Sequence, residues 1–129
     1  MGKRAAGERT EVSAATLELL RDIFRANKHE SFVILILDHR GEVTTWREVA
    51  RGSRSHVQVS LPELFSAAML CGAKALVVAH NHPGADPTPS REDIILTERL
   101  ATAGELVGCP ILDHIIIADS CHYSFRRSC

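Results

Sequence analysis

Between Ser13 and Asn27 the apolar residues Leu17, Leu20 and Phe24, flanked by Leu19 and Ile23, recur at helical spacing, and Ser13 ahead of them suits an N-cap. Ser31 to Asp38 is almost wholly β-branched or aliphatic, too apolar for a strand with one wet face, so it reads as a central strand covered on both sides. The turn residues Asp38-His39-Arg40-Gly41 lead into a second strand, Val43 to Arg51, expected to pair antiparallel with the first through a hairpin. Pro62 suits the first turn of a second helix, whose stripe Leu64, Phe65, Ala68 and Met69 ends at Gly72, a residue able to take positive φ. Ala75 to His80 is another buried strand. A third helix is expected to open at Ser90, carry Ile94, Ile95, Leu100 and Leu106 as its stripe, and stop at Gly108 and Pro110. Ile111 to Ala118 is the last strong strand. Helices and strands alternate, but the hairpin makes the sheet mixed, so the expected fold is a three-layer α/β domain with helices flanking the sheet.

Composition adds boundaries to this picture. A chain of 129 residues, 45% hydrophobic and 24% charged, suffices for one domain and is short for two. The expected organisation is a flexible segment over residues 1–10 followed by a single domain over 11–129. Formal net charge is −1, so no overall basic field exists to gather phosphates, and a nucleic-acid partner is not favoured. The N-terminal residues, with Lys3, Arg4 and Arg9, are followed by no apolar signal segment, and the longest aliphatic run, Phe32 to Leu37, is far too short to span a bilayer. A cytoplasmic protein with no membrane contact is expected, one whose near-neutral charge permits homo-oligomers. Cys71, Cys109, Cys121 and Cys129 form no C-x-x-C pair and read as reduced thiols.

The chemistry concentrates around the one proline-rich break, Pro83 to Pro89. His80 and His82 stand two apart at the end of a strand, which puts both imidazoles on one face if the chain stays extended. Beyond the loop, Ser90-Arg91-Glu92-Asp93 opens a helix, so Asp93 lies in its first turn. Two imidazole nitrogens and one carboxylate oxygen suit a catalytic zinc ion, one per chain, with the fourth tetrahedral position left for water. Ser90 with Asp93 also has the form of a capping box, in which the carboxylate bonds the Ser90 backbone N–H, and a strand-end histidine is often simply hydrogen-bonded. Asp113 and His114, adjacent on the last strand, must face opposite sides, so whichever faces inward is expected to make a supporting or core hydrogen bond. Trp46 and Tyr123 read as packing residues, and His29, His39, His56 and His122 as ordinary surface residues.

The run His80-Asn81-His82, seven residues, Ser90, two residues, Asp93 matches the signature of the JAMM/MPN metalloproteases. The wider segment AHNHPGADPTPSREDIILTERL, with GELVGCPILDHIIIAD after it, resembles the bacterial RadC-like branch of that family, and the likeness runs from about Ser13 to Phe125. The resemblance implies a cytidine-deaminase-like three-layer fold, zinc held by His80, His82 and Asp93, and hydrolysis of a peptide or isopeptide amide in a peptide or protein substrate. It further implies that Ser90 hydrogen-bonds the oxyanion or the water on the metal. It assigns the general base to a glutamate just ahead of the first core strand, the place occupied here by Glu30. Two stretches depart from the branch: Val59-Ser60-Leu61-Pro62-Glu63 stands where relatives have a histidine-proline pair, and Pro83-Gly84-Ala85 where they have Pro-Ser-Gly. No helix-hairpin-helix region precedes the domain, so a short form or an excised domain is expected. Rival readings are an interaction scaffold with a structural metal, or the DNA-repair association carried by the branch's name, for which charge gives no support.

Overall fold

The computed structural model describes residues 13–25, 29–52 and 58–126. The expected helix end near Asn27, segment 1–10, His56 and Cys129 lie outside the described residues. The element order is α1 (Ala14–Arg25), β1 (Ser31–Leu37), β2 (Val43–Arg51), α2 (Leu61–Leu70), β3 (Ala75–Asn81), α3 (Arg91–Val107), β4 (Ile111–Ile117) and β5 (His122–Ser124). The strands form a five-stranded mixed sheet in the order β2-β1-β3-β4-β5. β1 pairs antiparallel with β2 and with β3, β3 pairs parallel with β4 through the α3 crossover, and β5 adds an antiparallel edge that hydrophobic patterning did not reveal.

Alternation along the central strands separates two cores, which is why the fold has three layers. Phe32, Ile34 and Ile36 of β1, with Leu76 and Val78 of β3, face Leu64, Phe65 and Ala68 of α2 and Leu100 of α3. Val33, Leu35 and Leu37, with Val77, Ala79, Ile115 and Ile117, face Leu20 and Phe24 of α1. All seven β1 residues are buried, as expected of a strand covered on both sides. Each fully buried Leu or Ile contributes about 1.5–3 kcal/mol, so β1 supplies apolar burial to both layers at once.

Helix ends follow local chemistry. The Ser13 hydroxyl accepts from Thr16 N, and Ser60 caps α2 through Glu63 N with Pro62 in the first turn. Gly72 takes φ +69 after α2, as anticipated. The stripe expected on α3 is corrected: Ile94, Ile95 and Leu106 are 45%, 48% and 82% exposed. The helix instead turns Leu100 and Gly104 to the sheet, with Leu96 and Ala103 beside them. Gly104 decides this face, because a Cβ built there would lie 2.7 Å from the Cys109 backbone oxygen. Trp46 also departs from expectation. It sits on edge strand β2 and is 39% exposed, whereas Tyr123 packs edge-on against Phe125. Among the described residues the cysteines are free thiols, and no helix is long and apolar enough to cross a membrane.

An alanine in mid-helix normally outperforms glycine by roughly 1 kcal/mol. Gly104→Ala is expected to reverse that order and destabilise by about 1–3 kcal/mol through overpacking against backbone. Urea denaturation of the two proteins measures the difference, and a more stable variant would show that α3 can move away from the Cys109 turn.

Candidate metal centre

β1 and β3 run antiparallel with Phe32 opposite His80, so the start of β1 and the end of β3 meet at one sheet edge. Alternation puts His80 on the side of Leu76 and Val78, the α2/α3 side, and puts Glu30 on the side of Phe32. The ladder continues one residue past β3, since His82 N donates to the Ile117 carbonyl at 2.9 Å. His82 therefore keeps the orientation of His80, and the two rings lie 4.9 Å apart.

Asp93 arrives from α3. Its Oδ1 is 3.3 Å from His80 Nε2 and its Oδ2 is 3.2 Å from His82 Nε2. Both sequence readings of Ser90 and Asp93 hold together. Ser90 N donates to Asp93 Oδ2 at 2.8 Å, and Asp93 N donates to Ser90 Oγ at 3.1 Å, which closes a capping box at the N-terminus of α3. Because Ser90 Oγ accepts there, its own proton remains available as a donor.

The donor atoms of His80, His82 and Asp93 all lie within 4.8 Å of one another, so this group could hold a metal ion. Ligands 2.0–2.2 Å from a tetrahedral ion stand roughly 3.3 Å apart, close to the separations of His80 and His82 from the Asp93 carboxylate. Both imidazoles also have a contact on the other ring nitrogen, as ligand histidines do. His82 Nδ1 lies 3.4 Å from the Asp86 carbonyl oxygen, and His80 Nδ1 lies 2.9 Å from His114 Nε2.

Charge is concentrated at this edge. Burial alone would raise the Asp93 carboxyl, but hydrogen bonds from His80 and His82 outweigh it and hold the group far below the usual carboxylate range. The hydrogen bond to Asp93 raises His82 against partial burial, and the charge of Glu30 adds to the rise. Glu30 is thus near enough to His82 for its charge to be felt there. It is 9% exposed.

Asn81, the middle residue of the histidine pair, has a part that sequence reasoning missed. Its Oδ1 accepts from Ser31 N at 2.8 Å and its Nδ2 donates to the His29 carbonyl at 3.1 Å. The amide thereby clamps the backbone on both sides of Glu30. His114 was placed only as one of two alternatives. It faces His80 from β4, while Asp113 on the opposite face accepts from Ser124 Oγ and Arg126 N. Burial pushes the His114 pKa well down and the Asp113 pKa up. His29 is no ordinary surface residue either: it is half-buried, with Nε2 3.9 Å from Glu48.

Two measurements follow from this geometry. Replacing Asn81 with alanine leaves Ser31 N buried and unpaired, and should lower stability by about 1–3 kcal/mol. An unchanged denaturation midpoint would mean that the clamp bears no load. The second concerns pH in the metal-free protein. Asp93, depressed on folding, stabilises above its ordinary 3.8 and loses that as pH falls through its folded value. His82, raised on folding, stabilises below its ordinary 6.5 and loses that as pH rises through its folded value. The stability gap between the chain and His82→Ala, on the order of 1 kcal/mol, should be widest between about pH 4 and 6.5. A gap that does not vary with pH would remove the ion pair as its cause.

The RadC-like JAB domain profile matches residues 10–129. A UPF0758 protein of Trichlorobacter lovleyi is 38% identical over 134 residues, covering 99% of this chain and 58% of the relative. A UPF0758 protein of Desulforamulus reducens is 42% identical, covering 85% and 47% of the two chains, and one of Methanosarcina acetivorans is 41% identical, covering 79% and 44%. The chain spans about half the length of these relatives. With the profile running through every described element and the His80, His82, Asp93 group at the expected sheet edge, the chain belongs to the RadC-like JAB domain family.

Proposed function

We propose that this domain is a zinc-dependent hydrolase that cleaves a peptide or isopeptide amide in a peptide or protein substrate. The observation that carries the reading is the convergence of three ligand atoms from His80, His82 and Asp93 at the end of the sheet where Glu30 leads into β1. His80, His82 and Asp93 would hold the ion through two neutral nitrogens and one carboxylate, the donor set of a catalytic site rather than of a closed structural one. Zinc held there supplies Lewis acidity and makes water a stronger acid near neutral pH.

The chain's own residues then have separable tasks. Glu30 takes a proton from the attacking water and passes it to the leaving amine nitrogen, so that the C–O bond forms and the C–N bond breaks with protons balanced. The Ser90 hydroxyl proton, not engaged by the helix cap, is available to the carbonyl oxygen as negative charge develops. Capping holds that hydroxyl in place before substrate arrives. The side chains of His82 and Asp93 keep 20% and 15% of their surface exposed, so the metal-binding edge is not sealed.

Protein purified in metal-depleted buffer and then supplied with zinc should retain about one ion per chain, and the double variant His80→Ala, His82→Ala none. A chain that takes up no zinc would sink the metal reading. Glu30→Gln should keep its zinc while losing roughly 10²–10⁴-fold in turnover of a peptide library. Normal turnover in that variant would remove Glu30 as the base.

A further inference from the structure

We infer that Thr97 and His114 act as positioning residues that hold a proton on His80 Nδ1 and so turn Nε2 toward the metal-binding edge as the ligand atom. This rests on the metal reading above for its purpose, but on hydrogen-bond geometry for its content. Thr97 Oγ1 lies 2.7 Å from the Asp93 carbonyl oxygen. Two oxygens at that distance need a proton between them, and the carbonyl has none, so the single hydroxyl proton of Thr97 points to Asp93. Thr97 Oγ1 also lies 2.6 Å from His114 Nδ1. With the hydroxyl proton already committed, the proton in this second contact belongs to His114 Nδ1.

His114 is 1% exposed, stacked on Phe125 at 4.7 Å and edge-on to Phe32 at 5.5 Å, an apolar enclosure that favours the neutral ring. A neutral imidazole protonated on Nδ1 has an acceptor at Nε2, and that atom is 2.9 Å from His80 Nδ1. His80 must therefore donate from Nδ1, which leaves Nε2, 3.3 Å from Asp93 Oδ1, as the ligand atom. The relay begins at the carbonyl of Asp93 and ends at the imidazole beside the Asp93 carboxylate, so one residue sets both the start of the chain of donors and the negative end of the site. No link is open to solvent competition at His114, and each proton has one place to go.

The test is read at nitrogen and at the metal, separately from turnover. In the ¹⁵N imidazole spectrum of the metal-free protein, His114 should carry its proton on Nδ1 with Nε2 bare, and His80 should be protonated on Nδ1. Thr97→Val keeps the side chain's shape but removes the acceptor that selects the His114 tautomer. It should lower zinc affinity by roughly ten- to a hundredfold, with His114 shifting toward the Nε2-protonated form. Thr97→Ser, which keeps the hydroxyl, should restore both readouts. A wild-type His114 protonated on Nε2, or a Thr97→Val protein that binds zinc as tightly as wild type while folded, would overturn the relay. Should the wild type take up no zinc at all, the proposed function falls, and the nitrogen spectrum alone still decides whether the relay exists.

Discussion

Asp93 Oδ2 stands 2.8 Å from Ser90 N and 3.2 Å from His82 Nε2, so a single oxygen both closes α3 and faces the site. Its partner oxygen is 3.3 Å from His80. A capping carboxylate is held by the backbone it caps, which means that the position of Asp93 relative to the histidines is set by where α3 starts, not by side-chain freedom. The proline-rich loop from Pro83 to Pro89 then has one task with a narrow solution: to deliver the first turn of α3 to the end of β3. Helix N-termini favour negative charge, and Asp93 together with Glu92 satisfies that preference whether or not a metal is bound. The site is therefore assembled by forces that also fold the domain.

This coupling explains which features were legible in the sequence and which were not. Local patterns carried the strands β1 to β4, the hairpin, and the helix starts at Ser13 and Ser90, because each depends on residues within a few positions of one another. The shared face of His80 and His82 follows from strand period alone once the chain stays extended through His82. Glu30 was a different matter. As a sequence feature it is one more carboxylate ahead of a strand, and only resemblance singled it out. The antiparallel register that sets Phe32 opposite His80 is a long-range fact with no local signature.

The same limit hid His114 and Thr97. Parity said that Asp113 and His114 must diverge, but which of them meets the histidines depends on β4 lying parallel to β3 with His114 beside Val78. Thr97 is four residues beyond Asp93, the spacing at which a hydroxyl reaches back to a helix carbonyl, and that habit is too common to mark a site by itself. A sharper signal was available: a histidine inside an otherwise aliphatic strand must find a partner, because an unpaired buried polar group is expensive. On α3 the error ran the other way. Ile94, Ile95 and Leu106 have the right chemistry for a core stripe, but the close approach at Gly104 turns a different line of residues to the sheet.

Buried polar groups come at a cost unless each is satisfied, and on the α2/α3 side His80, His114 and Thr97 are satisfied in series rather than in isolated pairs. His80 bonds His114, His114 bonds Thr97, and Thr97 bonds the Asp93 backbone, all on the α2/α3 side of the sheet. On the alternate side, Asn81 bonds residues 29 and 31. Successive residues of one strand thus serve two purposes that strand geometry keeps apart: His80 and His82 present ring nitrogens to one edge, and Asn81 between them fixes the backbone that carries Glu30 to that edge. Neither purpose could shift by one position without exchanging faces, since a one-residue slip inverts the whole strand. The register of β3 against β1 is accordingly constrained twice, by apolar burial in its middle and by hydrogen bonding at its end, and the end that bears the chemistry is the one where burial alone would leave it free to fray.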